Sequence, residues 1–469
     1  MQFHQQGSQV PWEHCFESPS YKRMFQNSVS EVDRTMFAFE PHGVEAGRAE
    51  AVDVLGIGQP RYAADRLSGG KSQFGTIGSQ GHGSLLDRFV SVGNRRLLDL
   101  SVNKNTVTDR IQSQMVKQQM DEAERELCLE QFRFAFRSGA DWLLARVNHD
   151  GSLGPVRDRL FYYRVPWALV LVGERSAAKA CLDWIDRNMI SRAGEFEGVS
   201  PRGLFELHYG SYPLACLLAG AQLVGHSDLV ERGAPRLLEW QDPVTGGFYA
   251  RWSDRSPECE QELFPACQAA MTLLRIGRVE QAERAGEWIV GLWDRQPEPD
   301  ERLFHIARGD GGLVREFPDE EAVMYVTEKS LPWQHHFNGG ISAAALVELF
   351  QVTGQPRWLQ AARTCQAFSM TTDECQFESM QTCKSGWGSG LLWWATGELA
   401  YRDWTIRMGQ WFCEHQLADG HWENTRHWTP EPTEADNIEI TAEFVMHLAN
   451  LVSFLENAVV EQPDGEEQA

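Results

Sequence analysis

Two imidazoles stand side by side at His335 and His336, in a stretch that begins with Trp333 and Gln334 and runs on through Phe337, Asn338, Gly339 and Gly340. Histidine titrates near neutral pH, so it suits proton transfer. Adjacent residues on a helix point in different directions, so at most one of the two faces a given cavity. The natural complement is a carboxyl group, because opposite faces of a substrate need both a donor and an acceptor. Glu262 and Asp436 are the candidates, since desolvation in an aromatic cavity raises a carboxyl pKa as a general acid requires. The expected catalytic set is therefore His335, His336, Glu262 and Asp436. Tyr162, Tyr163, His208, Tyr209, Trp333, Gln334, Lys384, Trp387 and Glu439 are expected to contact substrate. Each has a plainer alternative. The His pair and Asp436 can cap helices, His208 and Tyr209 can simply pack, and Glu439 and Glu443 sit four apart, so one can be an outward charge. The glycines around Trp387 give either clearance for a ligand or close helix contact. The chain has no His-x-x-x-His, no Cys-x-x-Cys, no nucleophile elbow and no dinucleotide fingerprint. Gly69, Gly70, Lys71 and Ser72 lack the full phosphate-loop pattern. The expected chemistry uses no metal and no cofactor.

These residues are drawn together only if the chain folds as a repeat. An apolar helix runs into a glycine, a short polar stretch follows, and an amphipathic helix begins; this phrase recurs about every 50 residues. The glycines are Gly173, Gly225, Gly277, Gly354 and Gly397. The spacing predicts helices over 124–147, 161–172, 176–190, 208–224, 228–241, 260–276, 279–296, 335–353, 356–369, 385–396, 400–416 and 434–457. Twelve helices make six hairpins, none of which can bury its apolar face alone. The expected fold is all-α, an α/α toroid of about six helical hairpins with inner and outer helices alternating. The inner helices then start at one rim, and the candidate residues lie at those starts. Residues 1–120, rich in Gly, Ser, Gln, Asp and Arg, are expected to be a partly disordered or wrapping extension. Residues 121–458 form the toroid and 459–469 an acidic tail. The long connections 191–207, 242–259 and 297–333 read as loops.

A second signature lies at the ends of outer helices. The segment Arg407–Trp422 carries Trp411, Gln416, Gly420 and Trp422, and resembles the Gln-Trp repeat of squalene-hopene cyclases and related terpenoid cyclases. Weaker copies contain Trp142, Asn148 and Gly151, and Trp240, Gln241, Gly246 and Phe248. Its local role is that the Gln ties a helix end to the next backbone while the aromatic closes the gap between hairpins. The resemblance implies the toroid architecture shared by terpenoid cyclases, N-acylglucosamine 2-epimerases, unsaturated glucuronyl hydrolases, polysaccharide lyases and lanthionine cyclases. The Asp-x-Asp-Asp acid and the Asp-Asp-x-x-Asp diphosphate motif of terpenoid cyclases are missing. So is the zinc set of lanthionine cyclases.

Composition narrows the field. The net charge of −23 over 469 residues argues against nucleic acid and anionic lipid. No apolar stretch reads as the roughly 18 residues of a membrane span. Ten scattered cysteines fit free thiols in a reducing cytoplasm. Seventeen tryptophans permit a large core and suit an aromatic cavity. The expected partner is a small molecule. The first reading is an acid–base isomerase or cyclase acting on an apolar polyene or terpenoid-like substrate, to which the Gln-Trp phrases and the tryptophans point. The second is a carbohydrate-active toroid enzyme, a sugar 2-epimerase, unsaturated glycoside hydrolase or lyase. The His pair points there because epimerases of this fold carry paired histidines. The third is a non-catalytic helical-repeat binding protein.

Overall fold

The computed structural model describes residues 125–155, 157–198, 208–251, 255–378, 380–424 and 431–457. The expectations for residues 1–120 and 459–469 lie outside them. Helix α1 covers residues 125–144. It is followed by α2 (Val165–Leu171), α3 (Arg175–Met189), α4 (Tyr212–Val224), α5 (Ser227–Leu238), α6 (Leu263–Arg275) and α7 (Val279–Asp294). A short α8 (Ala322–Tyr325) precedes α9 (Phe337–Thr353), α10 (Pro356–Met370), α11 (Lys384–Thr396), α12 (Leu399–Glu414) and α13 (Glu434–Glu456). The twelve long helices match the predicted ones to within a few residues at each end.

Two kinds of helix alternate, and burial separates them. Eleven of the thirteen residues of α4 and twelve of the seventeen of α9 are buried, as expected of helices that are apolar on every face. By contrast α3 buries Ala178, Cys181, Leu182, Trp184, Ile185 and Met189, and its other residues are half-buried or exposed. The apolar helices form the ring. In order, α2 touches α4, α4 touches α6, α6 touches α9, α9 touches α11, α11 touches α13, and α13 returns to α2. The chain is thus a closed α/α toroid rather than an open solenoid. Helix α13 corrects one expectation: it is long and apolar enough to cross a membrane. Most of it is instead buried in the ring, and it carries Asp436, Glu439 and Glu443 inward.

The repeat has a backbone cause at each hairpin. Gly225 closes α4 at φ 82°, and Gly173, Gly277, Gly354 and Gly397 sit at φ 88°, 76°, 67° and 67°. A side chain is disfavoured there, so glycine stops these five inner helices and lets the chain reverse. The glycines of α9 and α11 serve close helix contact. A Cβ on Gly340 would lie 2.2 Å from the Lys384 carbonyl oxygen, and one on Gly388 would lie 2.5 Å from that of Gly340.

The outer wall has its own repeated turn. After α1, α3, α5 and α12 a residue donates its N–H to a carbonyl four or five positions on: Asn148 to Ser152 (2.8 Å), Ser191 to Glu195 (2.9 Å), Asp242 to Gly247 (2.8 Å) and Leu417 to His421 (2.9 Å). A positive-φ glycine then presses on the next outer helix. At Gly420 (φ 96°) a Cβ would stand 2.5 Å from the Ser138 carbonyl oxygen. Gln416 donates to the carbonyls of Ala135 (2.8 Å) and Gly420 (2.7 Å); Gln241 donates likewise to Gln281 (2.8 Å) and Gly246 (3.0 Å). Trp422, fully buried, donates to the Phe412 carbonyl at 2.8 Å. The Gln-Trp phrases therefore staple one outer helix to the next.

The connection 297–333, read as a loop, supplies three of the four strands of two short strand pairs. β1 (Gln261–Glu262) pairs antiparallel with β3 (Ile306–Ala307), and β2 (Arg302–Phe304) with β4 (Val326–Glu328). Because β1 leads directly into α6, this strap crosses the rim at the start of an inner helix.

Candidate active site

Buried polar and charged side chains gather where the inner helices begin, in two groups joined by aromatics. The first group forms around α13. Arg164, at the start of α2, donates to Glu439 and Glu443 at 2.5 Å each and to the Tyr212 hydroxyl at 2.6 Å. Glu439 also accepts from the Tyr163 hydroxyl (2.6 Å) and the Asn424 amide (2.9 Å). Lys384, the first residue of α11, ion-pairs with Glu443. Arg164, Lys384, Glu439 and Glu443 are all 4% exposed or less. Buried charges persist only when paired and hydrogen-bonded, and here two cations face two carboxylates. Burial works against the Glu443 anion, yet Arg164 and Lys384 hold its carboxyl well below the usual range.

The second group belongs to α6, α9 and the strap. His208 Nδ1 lies 3.8 Å from Glu262 and Nε2 lies 3.6 Å from Glu321. Burial alone would lower this imidazole, but the two carboxylates outweigh it and raise its pKa to about 9. Burial pushes Glu262 up to about 7, with His208 pulling against it. The Tyr209 hydroxyl meets His335 Nδ1 at 3.1 Å, which couples the tautomer of His335 to the position of the hydroxyl proton. His335 stacks on Phe337 (4.9 Å) and lies over His305 (6.0 Å). His305 bonds Thr327 through Nε2 at 2.6 Å, and burial drives it down to about 3, so it stays neutral.

Aromatic rings connect the groups. Phe264 lies 4.3 Å from Tyr212, 4.8 Å from Tyr209 and 4.6 Å from Phe337, centroid to centroid. Lys384 Nζ lies 5.1 Å from the Phe264 ring and 4.9 Å from that of Phe337, a cation–π arrangement. One turn deeper, Trp387 meets Trp167 edge-on at 6.0 Å and His447 at 5.4 Å. Below them Arg275 lies 4.9 Å over Trp167 and bonds Glu348 at 2.5 Å. The ring is therefore plugged beneath the polar rim.

The structure brings together Tyr163, Lys384 and Glu439 in one group and His208, Tyr209, Glu262 and His335 in the other. It separates the remaining candidates. His336 is the N-cap residue of α9, buried and lowered to about 4, with backbone groups of Glu328 and Leu331 beside it. Asp436 is held in a capping box, accepting from the Thr433 N–H and hydroxyl at 2.8 Å each. Tyr162 donates to the Gly154 carbonyl at 2.6 Å and stacks on Trp184 of the outer wall at 4.7 Å. Gln334 bonds Glu328 and Pro332 within its own loop. Trp333, half-buried, takes φ 60° where the strap meets α9. Trp387 belongs to the plug. Glu439 and Glu443 both face inward, so neither is an outward charge: they share Arg164.

Arg164, Glu443, His305 and Glu321 were missed. Arg164 had a signal, because a cation at a helix start opposes the dipole and needs a buried anion. His305 and Glu321 lay in a connection that shows no helical period.

Cys383 Sγ, a Glu443 oxygen and a His447 nitrogen lie within 4.8 Å of one another, the spacing of metal ligands. The Lys384 ammonium touches both Cys383 (3.4 Å) and Glu443, and Arg164 takes the other Glu443 oxygen. Two cations already neutralise that corner, so its charge balance disfavours a metal ion. A groove of about 1200 Å³ lies elsewhere, on the outer wall between α1 and α12. Phe134 and Leu417 line it, and none of the clustered buried charges does.

No protein-family model and no curated protein matches the chain. Solved structures do. A D-mannose isomerase superposes with TM-score 0.50 and 14% identity, over 71% of this chain and 97% of that one. A type II terpene cyclase from Scytonema gives 0.48 and 14%, over 70% and 99%. A GH76 alpha-mannanase from Bacteroides thetaiotaomicron gives 0.46 and 12%, over 68% and 97%. At such identities the likeness is one of fold. The fold is the α/α toroid that the closed ring of inner helices defines.

Proposed function

We propose that the chain is a proton-transfer isomerase or epimerase acting on a neutral, sugar-like polyhydroxy molecule at the rim. The observation that carries the reading is the dipeptide His208–Tyr209. His208 lies 3.8 Å from Glu262 and the Tyr209 hydroxyl lies 3.1 Å from His335, so a carboxyl and an imidazole far apart in sequence are each held beside one buried dipeptide. One takes a proton from a carbon beside a carbonyl while the other delivers a proton to the carbonyl oxygen; reversal on the neighbouring carbon completes the exchange. The opposite group supplies donors and acceptors for hydroxyls. It carries two cations and two carboxylates, so it offers no excess positive charge for a uronate or phosphate. The D-mannose isomerase of this fold acts in the same chemical class. The Gln-Trp phrases do not favour the terpenoid reading over this one, because Gln416 and Gln241 serve the outer wall.

The test is a panel of neutral aldoses and ketoses in deuterium oxide, followed by NMR for interconversion and for deuterium at the carbon beside the carbonyl. Conversion of at least one neutral sugar is expected. Inertness toward all of them, together with cyclisation of a geranylgeranyl substrate, would move the function to the terpenoid class.

A further inference from the structure

Glu262, His208 and Glu321 stand in a line. The ring of His208 is fully buried between the carboxylates, one nitrogen facing each, at 3.8 and 3.6 Å. Neither nitrogen, nor Glu262 Oε2, has a hydrogen-bond partner within normal distance. Glu262 is 1% exposed, whereas Glu321 is 23% exposed and comes from the strap beside α8. The other groups facing the line are few. Arg251 lies 3.4 Å from Glu321 and donates to the Tyr325 hydroxyl at 2.7 Å, and Tyr325 donates to Glu260 at 3.1 Å. The Tyr325 ring meets His208 edge-on at 5.6 Å, and the neutral His305 lies on the far side. Glu321 is thus what the strap adds to a buried imidazole whose other anionic partner, among the described residues, is Glu262.

We propose that Glu321 is a positioning residue: acting through His208, it holds Glu262 as a carboxylate, so that strap contact at the rim and readiness of the base are one event. This rests on the proton-transfer reading above. The step is balanced within the line. With Glu321 in place, the proton sits on His208 Nδ1 and Glu262 is an anion beside an imidazolium. Without Glu321, a buried imidazolium has a single carboxylate and the cation of Arg251 works against it. The Nδ1 proton then moves to Glu262 Oε2, leaving a neutral imidazole and a neutral acid. No proton enters or leaves, and Glu262 ceases to be a base.

The experiment uses the full chain and the substitutions Glu321→Gln and Glu321→Asp. Nitrogen-15 NMR of labelled histidines, with His208→Gln to assign the resonance, reads the charge of His208 without substrate. The imidazolium is expected in the parent chain and in Glu321→Asp, and the neutral ring in Glu321→Gln. On a sugar that the parent converts, Glu321→Gln should move the acid limb of turnover upward by about one pH unit, a roughly tenfold loss at neutral pH that recovers in alkali. A His208 that stays doubly protonated in Glu321→Gln overturns the proposal. So does a turnover loss of equal size at every pH, which marks a merely structural role. If the parent chain converts no neutral sugar, the functional reading falls on that result, and the NMR comparison still decides whether the line exists.

Discussion

The two halves of the rim solve the problem of buried charge differently. Around α13 nearly every charge is answered: Glu439 accepts from Tyr163, Arg164 and Asn424, and Glu443 from Arg164 and Lys384. Around α6 and the strap the charged partners His208, Glu262 and Glu321 stand at 3.6 to 3.8 Å; unpartnered buried atoms occur in both halves, Arg164 Nε and the His447 nitrogens in one and the His208 nitrogens and Glu262 Oε2 in the other. A saturated network is rigid and holds its protons in one arrangement. A loosely partnered one keeps protons that can move. The difference teaches which half shapes the rim and which half can do chemistry.

The comparison breaks most sharply at Arg164. Arg164→Met leaves Glu439 and Glu443 buried with a shared cation removed, a loss of about 3–5 kcal/mol. Urea unfolding followed by circular dichroism should show it. The double change Arg164→Met with Glu439→Gln should cost less than the two single changes added, since the partners share one network. Additive losses would mean that the halves do not differ in saturation.

On the other side, His335→Gln should leave the unfolding midpoint nearly unchanged and lower turnover by roughly 10²–10⁴-fold. His336→Gln should do the reverse, because that ring faces the backbone of Glu328 and Leu331 at the cap of α9 whereas His335 meets the Tyr209 hydroxyl. Equal effects of the two substitutions on turnover would dissolve the assignment of His335 to the site.

The helices and their order were legible because 3.6-residue apolar periodicity and five hairpin glycines repeat along the chain. Half of the rim was legible for the same reason. Once helix starts are known, Tyr163, Lys384, Glu439, Glu262 and His208 follow. The strap was not, since β1 and β3 are two residues long and their pairing spans the whole of α6 and α7. His305 and Glu321 ride on it and were hidden with it. Asp436 and Tyr162 show the converse failure. Both sit at helix starts, but a capping box and a Gly154 contact claim them, and such local bonds compete with any role in a cavity.

Titration should pull the halves apart in opposite directions. His208 holds its proton more tightly folded than unfolded, from 6.5 to about 9. Its stabilisation is complete below about pH 6.5 and is lost as pH rises through about 9. Burial of Glu262 adds a cost of the same sign, absent below 4.5 and complete above about 7. Glu443, held below its ordinary value, behaves oppositely: its stabilisation is present above 4.5 and lost as pH falls. Between about pH 6.5 and 9 the parent chain should lose stability that His208→Gln does not, up to about 3 kcal/mol. Urea midpoints measured across that window decide it. Parallel curves for the two proteins would show that the carboxylates do not hold the His208 proton.

The smallest effect sharpens the comparison from outside the rim. Gln241 and Gln416 each make two hydrogen bonds to backbone carbonyls, one on the neighbouring outer helix and one in their own turn. Truncation to alanine leaves those acceptors to water or to nothing, at about 1–2 kcal/mol per site. The staples join different pairs of outer helices, α5 to α7 and α12 to α1, and share no partner. Their losses should therefore add to within about 0.5 kcal/mol in the double variant. Turnover on the same substrate should stay within about twofold of the parent, because neither amide touches the rim. That outcome separates the Gln-Trp phrase, which builds the wall, from the residues that work inside it. A change in substrate preference on Gln416→Ala, with the fold intact, would return the phrase to the chemistry and revive the terpenoid reading.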